Sequence, residues 1–394
     1  MASAAAAMCL LGAGFAPAAV ADGVQSKQWY LDAMSADKLW RKSTGKGIKV
    51  AVIDSGVSVT PSLRGRVQSG KDVTRKRGGP LDDYDGHGTT MAELIAGSGR
   101  GGGLKGLAPG AGIVSFRTTF DDKQESDSAE AIRAAADSDA RIISMSFGSD
   151  FMYPAEKAAV KYAASKGKLM FAGVGNDAEK KNYIGYPAAY PGVTGVSAAD
   201  RSGKVAKYSE FGEYVDLAAP GLGIPRWCDA TFRSYCDNGG GTSAATAITS
   251  ASAALIWSEH PDWTANQVLR VLIDTAGRDW PKDKPSDYLG YGLIRPAQHL
   301  LKGNGKPGPA NLDPLTNMAT HADESPGPSA SSSAKEAAKD RPREPEPDTK
   351  ANGSSTSQKS SDGDSRSWAI LGAVAAVMAI GGGAFAALRA RRRA

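Results

Sequence analysis

The chain is poor in the residue types that dominate many functional sites. Histidine occurs four times and cysteine three times in 394 residues, and aromatic residues make up 7%. Net charge is also small. Of the formal +5, four positive charges (Arg389, Arg391, Arg392 and Arg393) sit in the last six residues, so the rest of the chain is close to neutral. There is no basic stripe with interleaved aromatics, which removes the electrostatic footprint of a nucleic-acid partner. No cofactor or catalytic metal is expected; a structural calcium is left open, without a convincing ligand set for it. Hydrophobic content of 41% and charged content of 23% are ordinary globular values, which excludes a wholly disordered chain.

The scarce residues are informative by position. Cys9 lies in an apolar N-terminal stretch, which leaves Cys228 and Cys236, close together in a loop-like segment. If the domain is exported, they would form a disulfide that closes a short loop and stabilises it by about 2–3 kcal/mol. The alternative is two free buried thiols. Among the histidines, His260 follows a helix, His299 ends the domain and His321 lies in a polar tether. His87 alone is placed for catalysis.

Both ends carry targeting features. Residues 1–21 combine an apolar run with a small-x-small pattern, Ala19-Val20-Ala21, before Asp22. That is the pattern of a secretory signal peptide, although no Lys or Arg precedes the apolar run. Residues 302–367 are dominated by Pro, Ser, Gly, Asp, Glu and Lys, with few aromatic or large aliphatic side chains. Such a segment cannot bury enough apolar surface to fold, and reads as a disordered tether with a span on the order of 45 Å. Residues 368–388 are uncharged and apolar, long enough to span a bilayer. The arginines of the tail, 389–394, orient it to the cytoplasm and the large domain to the outer side.

Between these ends the pattern alternates strand-like and helix-like runs. Segments 48–54, 112–116, 141–148 and 168–175 read as buried strands. Segments 92–97, 128–139 and 154–167, and the run of small residues after Ser243, read as helices. The alternation predicts an α/β domain with a mainly parallel sheet.

Three segments carry chemistry. Asp54 ends the first buried strand, where functional groups gather in an open parallel sheet. His87 lies between Gly86 and Gly88 at a helix start, where the small neighbours let other groups approach the ring. Ser243 follows Gly239-Gly240-Gly241 at the start of a helix, whose free N–H groups suit an attack on a carbonyl. Each has an ordinary alternative: a turn Asp, a helix-start His, an N-cap Ser. The order Asp, His, Ser in these contexts makes the coincidence weak.

The three segments VAVIDSGV, DGHGTTMAELIAG and GGGTSAATA resemble the signature segments of the subtilisin-like serine proteases, over roughly residues 46–300. The resemblance implies the subtilisin-like three-layer fold and a triad of Asp54, His87 and Ser243. It implies an oxyanion site made by Asn176, in FAGVGND, and the N–H of Ser243. It also implies a primary substrate pocket lined by Ser146, Phe147 and Gly148 on one side and Gly173, Val174 and Gly175 on the other. Asp177, next to Asn176, falls near the pocket rim and points toward tolerance of basic residues. Two positions depart from the family pattern. Ala244 stands where a larger residue is usual, and Thr246 where proline is usual, so the helix start is less well defined. The layout as a whole is similar to the mycosins, subtilisin-like proteases associated with type VII secretion in actinobacteria. The implied organisation is a signal peptide (1–21), an N-terminal extension (22–45), a catalytic domain (46–301), a linker (302–367), a transmembrane helix (368–388) and a basic tail (389–394). The extension is shorter than the family's usual prodomain. The implied partners are a protein or peptide substrate, the membrane and a type VII secretion complex. The competing expectations are a structural stabiliser of such a complex and a general degradative protease shed from the surface.

Overall fold

Residues 48–54 are apolar almost without a break because both faces of that strand are covered. Val50 and Val52 enter one hydrophobic core and Ala51 and Ile53 enter a second on the opposite side. The computed structural model describes residues 23–119 and 125–320. The signal peptide expected at 1–21, the transmembrane helix at 368–388 and the tail at 389–394 lie outside the described residues. No described helix is long and apolar enough to cross a membrane.

Among the described residues, seven strands form one sheet: β1 (Lys49–Asp54), β2 (Val67–Asp72), β3 (Gly112–Arg117), β4 (Ile142–Met145), β5 (Leu169–Gly173), β6 (Val193–Ala199) and β7 (Leu217–Pro220). Their order is β2-β3-β1-β4-β5-β6-β7 and every pair is parallel. Helices α1 (Trp29–Ala33) and α2 (Ala36–Lys42) precede the sheet. Helices α3 (His87–Ala96), α4 (Glu125–Asp137), α5 (Pro154–Ser165), α6 (Thr242–Glu259), α7 (Ala265–Thr275) and α8 (Pro296–Leu300) follow in chain order. Helices α3, α6 and α7 share the core on one face, and α4 and α5 share the core on the other. This is the α/β/α arrangement that strand–helix alternation predicts. The run of small residues in α6 lets it lie close against β4 to β7, and residues 242–257 are all buried.

A separate antiparallel hairpin, β8 (Leu222–Trp227) and β9 (Tyr235–Gly240), leads into α6. Cys228 and Cys236 are joined across it as a disulfide, with Cα atoms 5.0 Å apart.

Three expectations change. The predicted strand over 141–148 ends at Met145, and the one over 168–175 ends at Gly173. Past Met145 the chain leaves the sheet, and Ser149 exchanges both backbone hydrogen bonds with Tyr186 instead. The extension is not separable from the catalytic domain. Tyr30 and Leu39 are fully buried in the core that holds α6, and the Trp29 and Trp40 indoles donate to the Leu222 and Leu107 carbonyls, both at 2.9 Å. The linker does not begin at 302. Carbonyls of Gly308, Ala310 and Leu312 accept from Gln267, Asn266 and Arg270 of α7, so polar side chains fix a segment with few apolar residues of its own.

Candidate active site

Asp54 is the last residue of β1, at the carboxyl edge of the sheet next to β4, where the strand order reverses direction. It is 0% exposed. Its Oδ1 accepts from the Ser55 N–H at 2.8 Å and lies 3.1 Å from Ser55 Oγ and 2.8 Å from His87 Nδ1. Oδ2 has no hydrogen-bond partner among the described residues. Burial raises the pKa of Asp54. Burial of the His87 ring acts to lower its own pKa, but the Asp54 charge and hydrogen bond outweigh this, and His87 is raised. The ring stays 26% exposed, open to a substrate.

His87 opens α3, and its position is set by a residue that motif reading passed over. Asp83 is buried and accepts from the Gly86 N–H at 2.9 Å, the Thr89 N–H at 2.8 Å and the Thr89 hydroxyl at 2.6 Å. It thus caps the first turn of α3 from four residues upstream of His87. Ser55 ties this cap to the triad segment: its hydroxyl donates to Asp83 Oδ1 at 2.8 Å and accepts from the Gly88 N–H at 3.0 Å. Gly88 is fixed by close approach. A Cβ there would sit 2.1 Å from the Gly56 carbonyl oxygen and 3.0 Å from Asp54 Oδ1. The only signal in the sequence was the acidic run before the histidine, DDYDGHG.

Ser243 is the second residue of α6 and is 9% exposed. Its hydroxyl donates to the Ser146 carbonyl at 3.3 Å. Substitution of the usual proline leaves the helix start regular: α6 begins at Thr242, and the Thr246 hydroxyl donates to the Thr242 carbonyl at 2.8 Å. Asn176 Oδ1 accepts the Thr242 N–H at 2.9 Å, which fixes its amide orientation and leaves the NH₂ group as the donor end.

All six residues expected to line a substrate pocket do line one cavity. Ser146, Phe147, Gly148, Gly173, Val174 and Gly175 surround a space of about 320 Å³ together with Asn176, Asp177 and Ser243. The first three come from the turn after β4, and Val174 and Gly175 from the turn after β5. Asp177 lines the cavity, but its side chain is half exposed and paired with Lys180 at 2.7 Å. Glu210 also lines it and was missed, because nothing near it in the sequence marks it as part of a site. Among the described residues, no cluster of three or more His, Cys, Asp or Glu is arranged to hold a metal.

The family model described as the subtilase family matches residues 45–292. The chain is 33% identical over 279 residues to the minor extracellular protease Epr of Bacillus subtilis (strain 168), covering 68% of this chain and 41% of the relative. It is 35% identical over 260 residues to subtilisin NAT of Bacillus subtilis subsp. natto, covering 64% of this chain and 65% of the relative. The chain therefore spans less than two thirds of the length of these curated relatives. Among solved structures, MycP1 with the N-terminal propeptide removed is similar with a TM-score of 0.61 and 27% identity, over 69% of this chain and 96% of that one. The MycP3 protease from the type VII (ESX-3) secretion system is similar with a TM-score of 0.60 and 29% identity, over 72% of this chain and 90% of that one.

Proposed function

Because the chain belongs to the subtilase family, we propose that it is a serine endopeptidase in which Ser243 is the nucleophile, His87 the general base and Asp54 the acid that orients it. The observation that carries this reading is the 2.8 Å contact between His87 Nδ1 and the buried Asp54 carboxylate; Ser243, for its part, lines a cavity with Asn176. With Asp54 ionised, Nδ1 bears the proton and Nε2 keeps its lone pair. The Ser243 hydroxyl leaves the Ser146 carbonyl, gives its proton to Nε2 and attacks the substrate carbonyl. The N–H of Ser243 and the Asn176 NH₂ bind the oxygen as it becomes negative. His87 then protonates the leaving amine, and water repeats the sequence on the acyl-enzyme. Loss of the Asn176 donor, as in Asn176→Ala, is expected to lower turnover on the order of 10²–10³-fold.

Treatment with a fluorophosphonate probe tests the nucleophile. The wild-type chain is expected to be labelled and Ser243→Ala to remain unlabelled. A folded wild-type protein that takes up no label would remove the endopeptidase reading.

The location is proposed on sequence grounds. Residues 1–21 direct export, residues 368–388 anchor the chain, and the catalytic domain faces outward. The likeness to MycP1 and to the MycP3 protease supports a link to type VII secretion. The alternative is a second role, in which the domain stabilises a membrane secretion complex and proteolysis is secondary. Secretion in a Ser243→Ala strain separates the two. Its loss favours proteolysis, and its retention, with loss only on deletion of the whole gene, favours the stabilising role.

A further inference from the structure

The cavity in front of Ser243 contains a buried acid that the proposed chemistry leaves unused. Glu210 lies between β6 and β7 and is 4% exposed. Its backbone N–H donates to the Gly175 carbonyl at 3.1 Å, which docks it against the turn that carries Asn176. Its carboxylate enters the wall where two residues lack side chains. A Cβ on Gly175 would fall 1.9 Å from Oε2, and one on Gly185 would fall 3.4 Å away. Gly175 also has a φ of +117°, so both its conformation and the space beside it require glycine.

Resting on the reading of Ser243 as nucleophile, we propose that Glu210 determines specificity in this pocket and selects substrates with lysine or arginine on the amino side of the scissile bond. The carbonyl attacked by Ser243 belongs to that residue, so its side chain is the one that reaches into the cavity. A carboxylate in such a place is costly unless it is hydrogen-bonded and paired with a cation. The N–H groups of Tyr183 and Asp177 supply hydrogen bonds, but among the described residues no Lys, Arg or His lines the cavity. The titratable groups that face Glu210 from the surrounding turns are Asp177, Asp150, Tyr183 and Tyr214. Lys180 is engaged outside by Asp177. The missing partner is a cation, and the substrate would bring it. The apolar stem of a lysine or arginine fits walls made of Gly173, Val174 and Gly175, with the charged head at Glu210.

The pH dependence follows. Burial raises Glu210, the Tyr183 N–H offsets part of this, and the charges of Asp177 and Asp150 add to it, to a pKa of about 7. The anion that attracts the cation is therefore present above about pH 7 and lost below it. Protonation of His87 slows cleavage of every substrate alike and cancels in a ratio of two.

The test uses the full chain in detergent and quenched peptides that differ only in having lysine, arginine or methionine before the scissile bond. The ratio of kcat/KM for lysine or arginine to that for methionine is expected to be on the order of 10–100 at pH 8 and to fall toward pH 6. Glu210→Gln keeps an oxygen for the Tyr183 N–H but no charge, and should bring the ratio near one at every pH. Equal cleavage of the methionine peptide by the wild type, or a ratio unchanged in Glu210→Gln, overturns the inference. If Glu210→Gln does not fold, the wild-type ratio against pH decides alone. Binding of 4-aminobenzamidine, a small cation, to the Ser243→Ala chain separates this inference from the nucleophile reading. Binding that Glu210→Gln abolishes upholds the pocket assignment even if the wild type takes up no fluorophosphonate. Absence of binding overturns the pocket assignment even if it does.

Discussion

Asp83 holds the turn on which His87 stands, and its removal tests how far the base depends on that support. Asp83→Ala leaves the N–H groups of Gly86 and Thr89 and the hydroxyls of Ser55 and Thr89 without their acceptor in a buried place. We expect a loss of about 3 kcal/mol in urea unfolding, together with slower fluorophosphonate labelling. An unchanged urea midpoint and labelling rate would mean that α3 holds its first turn without the cap. His87 carries its own prediction. Its pKa is raised above the ordinary 6.5 by Asp54, against the effect of burial, and only the neutral ring can accept the Ser243 proton. The acid limb of kcat/KM is therefore expected to have its midpoint above pH 6.5, with activity falling as pH falls. A profile that stays flat from pH 5 to 8 would count against His87 as the base. Asp54, His87 and Ser243 could be read from the sequence because each sits in its own short, distinctive segment. Asp83 was hidden inside one of those segments, since an acid before a turn has many ordinary uses. Glu210 was hidden more deeply, because only the path of the chain between β6 and β7 brings it to Ser243.

At the scale of elements, the β8–β9 hairpin links the N-terminal extension to the helix that carries His87. Trp29 of α1 donates to the Leu222 carbonyl of β8, the Trp227 N–H donates to the Thr90 hydroxyl of α3 at 3.1 Å, and the Tyr235 hydroxyl donates to Glu93 of α3 at 2.6 Å. Tyr235 also stacks on Trp227 with ring centroids 3.7 Å apart. The disulfide between Cys228 and Cys236 closes the tip of this hairpin. Its reduction is expected to lower stability by about 2–3 kcal/mol, read as the shift in urea midpoint with and without reductant. No shift would mean that packing alone holds the hairpin. The cysteine pair was legible because two cysteines so near in sequence have few geometries open to them. The hairpin itself was not, because the glycines of β9 read as a loop before Ser243. The linker boundary failed for a related reason. Composition measures apolar burial, whereas the segment up to residue 320 is held by side chains of α7 that bond to its carbonyls and, through Asn266, to the Thr320 hydroxyl.

Across the whole molecule, stability and activity should move in opposite directions with pH. The parallel sheet and its two helical layers follow from the alternation of apolar runs, but the fold also encloses acids whose surroundings no local pattern reveals. Glu93, in the middle of α3, is fully buried, and burial raises it to about 7 despite hydrogen bonds from Thr60 and Tyr235. Glu210 is raised to a similar value. In the unfolded chain both return to the ordinary 4.5. The folded protein thus binds more protons than the unfolded chain between about pH 4.5 and 7. The stability these two groups contribute is complete below their unfolded values and drains away as pH rises through 7, at up to about 1.4 kcal/mol per pH unit for each. His87, also raised, adds the same sign near neutrality. The carboxylates held below their usual range, Asp72, Asp200 and Asp229, act in the other direction but only where Asp itself titrates, near and below 3.8. Thermal melts are therefore expected to give a higher Tm at pH 5.5 than at pH 7.5, while the proteolytic rate rises over the same interval. Glu93→Gln removes one of the groups and should flatten the fall in Tm. A Tm that climbs from pH 5.5 to 7.5 would mean that Glu93 and Glu210 are already ionised in the folded protein, with their charges met by partners other than those described.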